Sequence, residues 1–181
     1  MEKTVRKEMR GLPCRVCPSA TTAPAALSNH GAALASGEVF LFLQEGVILT
    51  AEGLQKLLGT LLLHEEIAAV GPFSNHTQFL WQYLKDEEMR ASGEDPTAWV
   101  SRHLTSPSES LFLEHVALLV RRSAFQQVHG FDEAFAGGGA DLDLSFRLKY
   151  EGFHLLRAPV YFGHRGAGSC DLYDLTRSEA R

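Results

Sequence analysis

Only three cysteines occur in this 181-residue chain: Cys14, Cys17 and Cys170. So low and odd a count argues against a disulfide framework and for a reducing compartment. Cys14 and Cys17 form a lone C-x-x-C. No second ligand pair stands at zinc-site spacing. Pro18 follows directly, where a thioredoxin-like pair would lie between a strand and a long helix. The pair reads as incidental, with a redox role as the minor alternative. No apolar run approaches the roughly 18 residues that would span a bilayer, and the charged, mixed N-terminus is not a signal peptide. Asn75-His76-Thr77 fits a glycosylation sequon that goes unused without a secretory route. Positive charge is also in short supply. The formal net charge is −5, which argues against a broad basic face for nucleic acid. The N-terminal group Lys3, Arg6, Lys7 and Arg10 reads as the solvated face of a short helix over residues 2–9. Internal repeats and low-complexity tracts are absent.

What is present is enough for a core. Hydrophobic residues make up 45% of the chain, so one domain of this length needs no staple. Residues 17–24 form a turn-rich connector, and residues 25–35 read as an alanine-rich helix ending at Gly37. "EVFLFLQ" is an apolar run suited to the middle of a sheet. Leu54, Leu57, Leu58, Leu61 and Leu62 follow the i, i+3, i+4, i+7, i+8 spacing of a buried helical face. "IAAVGPF" predicts a buried strand closed by Gly71-Pro72. Residues 77–90, with Phe79, Leu80, Trp81 and Leu84, fit an amphipathic helix, and 91–109 a long surface excursion. "LEHVALLVRR" is a strand, followed by a short helix with Ser123 as N-cap and Gly130 as its stop. "HLLRAPVYFGH" supplies one or two strands. Strands alternating with helices predict an α/β domain with a largely parallel sheet. One segment is ambiguous: Leu142, Leu144, Phe146, Leu148 and Tyr150 alternate as in a strand.

The series of motifs resembles family 2 glycosyltransferases. "ALSNHGAALASGEVFLFLQEGVILTAEGLQKLL" is similar to the middle of those enzymes, and "AAVGPFSNHT" to their Val-Gly-Pro-x-Ser-Asn segment. "ALLVRRSAFQQVHGFDEAFAGGGADLDLSFRLKYEGFHLLRAPVYFGHRGAGS" is similar to their acceptor-side half. The match runs in order over residues 24–170 of a single, partial domain, with 1–23 poorly matched and 171–181 a tail. The resemblance implies a glycosyltransferase-A-like fold, mostly parallel, flanked by helices. It implies a nucleotide-sugar donor, a glycan, lipid-linked or protein acceptor, and a divalent metal, Mn or Mg. It also makes residues 141–151 a helix whose N-terminus carries an acid. On a helix, positions 141 and 143 lie about 200° apart, so the two acids should not share a task.

Residue by residue, Asp141 matches the family's catalytic base; as a first-turn acid it also suits the helix dipole. Ala140 stands where a Glu is usual. Asp143 is an acceptor contact or a salt-bridged surface acid. Gly137, Gly138 and Gly139 let substrate approach the backbone, or merely link. Gln44-Glu45-Gly46 occupies the place of the acidic metal motif. Glu45 keeps one carboxylate, or is an ordinary turn acid, and Gly46 replaces the metal-holding acid. His164 matches the late histidine that completes the metal site; alternatively it is a hydrogen-bonded structural residue. Asn29 and Gly31 match the helix bordering the donor pocket, with Ser28 where an Arg is usual, and Asn75 matches the pocket floor. Turn and packing roles account for Asn29 and Asn75 equally well.

The family's first strand–helix–strand unit has no counterpart in residues 1–23, since such a unit takes about 30 residues or more. An open sheet edge is therefore expected, completed by a second copy or by a partner chain. The expected location is the cytoplasm, at most peripheral to the inner face of a membrane. The competing functional class is a degenerate domain that keeps the fold and grips a glycan without catalysis. A weaker third is a metal-dependent hydrolase using Asp141, Asp143 and His164.

Overall fold

The computed structural model describes residues 24–77, 80–135 and 138–165. The readings made for residues 1–23, for Phe79 and Gly137, and for Cys170 and the tail lie outside these. Eleven elements follow one another: α1 (Pro24–Leu34), β1 (Val39–Leu43), α2 (Ala51–Leu61), β2 (Ile67–Ser74), α3 (Asp86–Ala91), α4 (Pro96–His103), β3 (Ser108–Glu109), β4 (Ala117–Arg121), α5 (Arg122–Gln127), α6 (Ala140–Tyr150) and β5 (His154–Phe162).

The strands form one sheet in the order β1-β4-β2-β5-β3. Only β2 and β5 run parallel; β1 with β4, β4 with β2, and β3 with β5 are antiparallel. The chain is α/β with helices against the sheet, but the expected mostly parallel sheet is corrected to a mixed one. The cause is β4, which turns back between β1 and β2. Its apolar sequence on both faces looks the same in either direction, so pattern could not reveal its sense. A second correction concerns "EVFLFLQ", which lies at the edge of the described sheet rather than in its middle.

Alternation along β4 divides the core. Leu118 and Val120 join Phe40, Phe42, Phe125, Phe131, Leu144 and Leu148 on one side, under α1, α5 and α6. Ala117 and Leu119 join Leu54, Leu57, Leu61, Val70, Val160 and Phe162 on the other, under α2. Thr50 caps α2 by accepting from Gly53 N–H at 3.1 Å. Gly53 lets the helix sit directly on Phe162, whose ring would lie 2.4 Å from a Cβ at that position. The expected buried face holds at Leu54, Leu57 and Leu61; Leu58 is half-buried, and Leu62 is a correction to it. Leu62, just past the helix, is 58% exposed.

Other sequence readings shift. β2 runs through Gly71-Pro72 to Ser74; Pro72 falls at an irregularity in the pairing with β5, where its missing N–H costs no ladder bond. Residues 80–82 are turns, Tyr83 bridges Ser74 of β2, and among the described residues of 77–90 the helix is α3. The excursion at 91–109 contains α4 and the short β3. Ser123 lies inside α5, whose N-cap position is Arg121. The ambiguous segment is helical, with Leu144 and Leu148 buried and Phe146 and Tyr150 exposed. No helix among the described residues is long and apolar enough to cross a membrane.

Truncating Leu57 to Ala should cost about 2–5 kcal/mol, because its closed pocket leaves a cavity. The same change at Leu62 should cost less than about 0.5 kcal/mol. Urea unfolding of the two variants measures both.

Candidate functional site

β1, β2 and β5 point the same way across the sheet, because β4 is antiparallel to both β1 and β2. The loops after them therefore gather at one end, together with the segment that enters β4. Nearly all the sequence-selected residues fall there, in two groups.

The first group surrounds Asp141. Gly138 and Gly139 have φ of 124° and 86°, a left-handed stretch that favours glycine, and α6 begins directly after it. Asp141 sits in the first turn. Its Oδ1 accepts from Leu142 N–H and its Oδ2 from His115 N–H, both at 3.0 Å. The neighbouring amides are held similarly. Leu113 N–H donates to Ser145 Oγ at 3.1 Å, and Glu114 N–H to Gln82 Oε1 at 2.7 Å. The segment 113–115 is thus anchored by three side chains rather than by a strand partner. The His115 ring packs against Phe42 and Phe131, and burial lowers its pKa from the ordinary 6.5, against the opposing pull of Asp141. Asp143 faces away, as its helical offset requires. Its Oδ2 takes Arg147 Nε at 2.8 Å and a second bond from the same guanidinium, while Arg147 Nη1 bonds Val128 O.

Asn29 clamps the loop leading to α6. Its amide donates to Phe131 O at 2.8 Å and Glu133 Oε1 at 2.9 Å, and its oxygen accepts from Phe131 N–H at 2.9 Å. All its polar atoms are thereby engaged within the fold. Gly130, at φ 74°, allows the clamp, since a Cβ there would meet Asn29 Oδ1 at 2.7 Å.

The second group surrounds His164. Its Nε2 lies 2.6 Å from Glu45 O and carries the proton, because a carbonyl can only accept. Nδ1 is buried without a partner. The ring stacks on His76 at 4.1 Å, and burial, then His164 itself, lowers the pKa of His76 from 6.5. Gly46, at φ 92°, makes room for the ring: a Cβ there would lie 2.7 Å from Nε2. Asn75 joins β2 to β5, accepting from His164 N–H at 2.9 Å and donating to Asp86 Oδ2 at 3.0 Å. The same buried oxygen receives Tyr161 O–H at 2.8 Å and Arg90 Nε at 3.1 Å. Burial, then Asp86, raises the pKa of Tyr161.

The residues around Gly46 do not fit a divalent metal in this arrangement. The Glu45 side chain is exposed, His164 spends Nε2 on a carbonyl, and its Nδ1 is enclosed by protein. Among the described residues no group of three or more His, Cys, Asp or Glu side chains is placed to share an ion. Asp141 and His164 have no partner in common among these contacts, which leaves the hydrolase triad without a shared centre. A cavity of about 20 Å³ lined by Thr50, Gly53, Lys56 and Tyr161 is water-sized and includes none of the candidates. Sequence reasoning missed His76, Gln82, Asp86, His115 and Tyr161. His76 and Tyr161 lie in segments read for other residues, Gln82, Asp86 and His115 in no site motif, and only the fold brings each to its partner.

No model of a known protein family matches this sequence, and no curated protein matches it.

Two outcomes test this description. His76 and His115 take up protons more readily unfolded than folded. Their contribution to stability is complete above pH 6.5 and is lost as pH falls below it. Urea midpoints should fall from pH 7.5 to 5.5, with a slope of at most about 1.4 kcal/mol per pH unit from each group, and His115→Gln should flatten the curve. Asn29→Ala should cost about 1–3 kcal/mol by leaving the Phe131 amide unpaired, as measured by chemical denaturation.

Proposed function

We propose that this chain is a glycosyltransferase-like domain in which Asp141 is the catalytic base. The acceptor hydroxyl oxygen attacks the anomeric carbon of a nucleotide-sugar. Its proton passes to the Asp141 carboxylate, and the bond to the diphosphate breaks with its electron pair leaving on the phosphate oxygen. The observation that carries the reading is the seat of Asp141, partly exposed on the tip of α6 beside Gly138 and Gly139. Each carboxylate oxygen accepts one backbone N–H and keeps a further lone pair. The ordered motifs over residues 24–170 support the same reading. Glu45 and His164 would have to part before either could hold a metal, so no step is routed through one.

The second reading, a non-catalytic domain that grips a glycan, is favoured by one observation: the His164 ring occupies the space that Gly46 leaves. The acceptor side would then persist without the diphosphate side.

Asparagine at 141 still offers one oxygen to His115 N–H, turns its NH2 towards Leu142 N–H, and cannot take the acceptor proton. Asp141→Asn should therefore lower the melting temperature less than Asp141→Ala does, and lower sugar transfer about 10²–10⁴-fold. Asp141→Ala should also destabilise the fold by about 1–3 kcal/mol. Transfer by Asp141→Asn at the wild-type rate would refute the base role. Thermal shift with a panel of nucleotide-sugars, with and without manganese, separates the readings. A donor-dependent rise supports the enzyme; no response to any donor, with a rise on glycans alone, supports the binding domain.

A further inference from the structure

We infer that the outer edge of β1 is a self-pairing surface, and that two copies of this chain join through it into one continuous sheet about a two-fold axis at Leu41. The inference goes beyond the sugar-transfer reading and does not depend on it.

The edge is open among the described residues, because β1 pairs only with β4. Which backbone groups it presents follows from two hydrogen bonds. Gln44 N–H donates to Val116 O at 3.0 Å, and Arg122 N–H donates to Glu38 O at 2.9 Å. Both pairs lie on the β1–β4 register, so Glu38, Phe40, Phe42 and Gln44 direct their N–H and C=O groups at β4. Those of Val39, Leu41 and Leu43 face outward. Edges of this kind are normally blunted by charge, proline or a bulge. "VFLFL" has none of these, and at the far edge β3 is blunted by being two residues long.

The occupant follows from the strand's symmetry. An antiparallel neighbour must offer outward groups at alternate residues, and a second β1 offers Val39, Leu41 and Leu43 in reverse order. Setting Leu41 against Leu41 of the copy places Val39 against Leu43, giving three pairs of two hydrogen bonds each. In that register Phe40 stands beside Phe42 of the copy, continuing the side that holds the phenylalanine cluster. Val39, Leu41 and Leu43 continue the side under α2. Glu38 meets Gln44 rather than another acid, so no like charges oppose each other. A slip of one residue would set outward groups against inward ones and exchange the two faces. The contact is isologous and closes as a dimer.

Leu41→Pro removes an N–H that faces the edge and none from the β1–β4 ladder, so the protomer should keep its fold. Leu41→Lys leaves the backbone intact and sets two ammonium groups opposite each other on the axis. Light scattering of the full chain in reducing buffer should give twice the chain mass for the wild type. Both variants should give the single-chain mass, with unchanged far-UV circular dichroism. If proline unfolds the protomer, the lysine variant decides alone. Amide exchange at Val39, Leu41 and Leu43 should be slow in the wild type and fast in Leu41→Lys. A monomeric wild type at every concentration overturns the inference. Slow exchange in that monomer assigns the edge to another segment of the same chain, and fast exchange to a different partner. A dimer that survives both substitutions overturns it as well.

Discussion

Three consecutive amides, Leu113, Glu114 and His115, have no strand to bond and must nevertheless be satisfied as the chain dives into the core. Ser145 and Asp141 on α6 and Gln82 from the turn after β2 each take one. An unpaired buried N–H costs about 1–3 kcal/mol, so these ties fix how β4 enters the sheet. β4 in turn holds β1 and β2 apart and divides the two halves of the core. The direction of that one strand sets the mixed topology and brings the ends of β1, β2 and β5 to one rim. The position of Asp141 is thus a consequence of backbone satisfaction as much as of any chemistry. A base in this seat would do two jobs, which is why asparagine and alanine at 141 are different experiments.

The other group at the rim is organised by a glycine. Gly46 has a positive φ and no Cβ, and the His164 ring lies in the space a side chain would take. His164 is thereby locked to Glu45 O, to His76 and, through its own amide, to Asn75. Asn75 leads on to the buried carboxylate of Asp86, which Tyr161 also approaches. Polar networks this closely satisfied stiffen a rim. Here the stiffening joins the loops after β1, β2 and β5 directly, where an ion held between carboxylates and imidazole could have done the same. The unpartnered Nδ1 of His164 is the one unmet polar atom among the described buried side chains.

Much of the fold was legible because it follows from local periodicity. The leucine spacing of α2, the apolar strands β1, β2, β4 and β5, and the extent of α1 can be read residue by residue. Strand direction could not be read, since Ala117–Arg121 is apolar on both faces. The helix at 140–150 defeats pattern reading for a different reason. Tyr150, 91% exposed, and Phe146, 60% exposed, extend a strand-like alternation onto residues that pack against little. At the site, Asp141, Glu45, Asn75, His164 and Asn29 were all selected from the sequence. Their partners were not: His115, Gln82 and Asp86 lie in no site motif, and His76, though inside "AAVGPFSNHT", has no spacing that points to His164.

These two kinds of legibility bear on how the functional readings should be weighed. Motif order is a property of the chain and survives when chemistry is lost, since the same residues also serve the fold. Asn29 illustrates this: every polar atom of its side chain is used to hold Phe131 and Glu133. Asp143, taken up by Arg147, illustrates it again. Asp141 differs in one respect that matters for proton transfer. Its carboxylate bonds only to neutral backbone donors, and it remains partly open to solvent beside a glycine stretch. A purely structural acceptor at that position needs two oxygens but no charge, a role asparagine fills only in part. A base needs the charge, and that difference separates a retained enzyme from a retained shape.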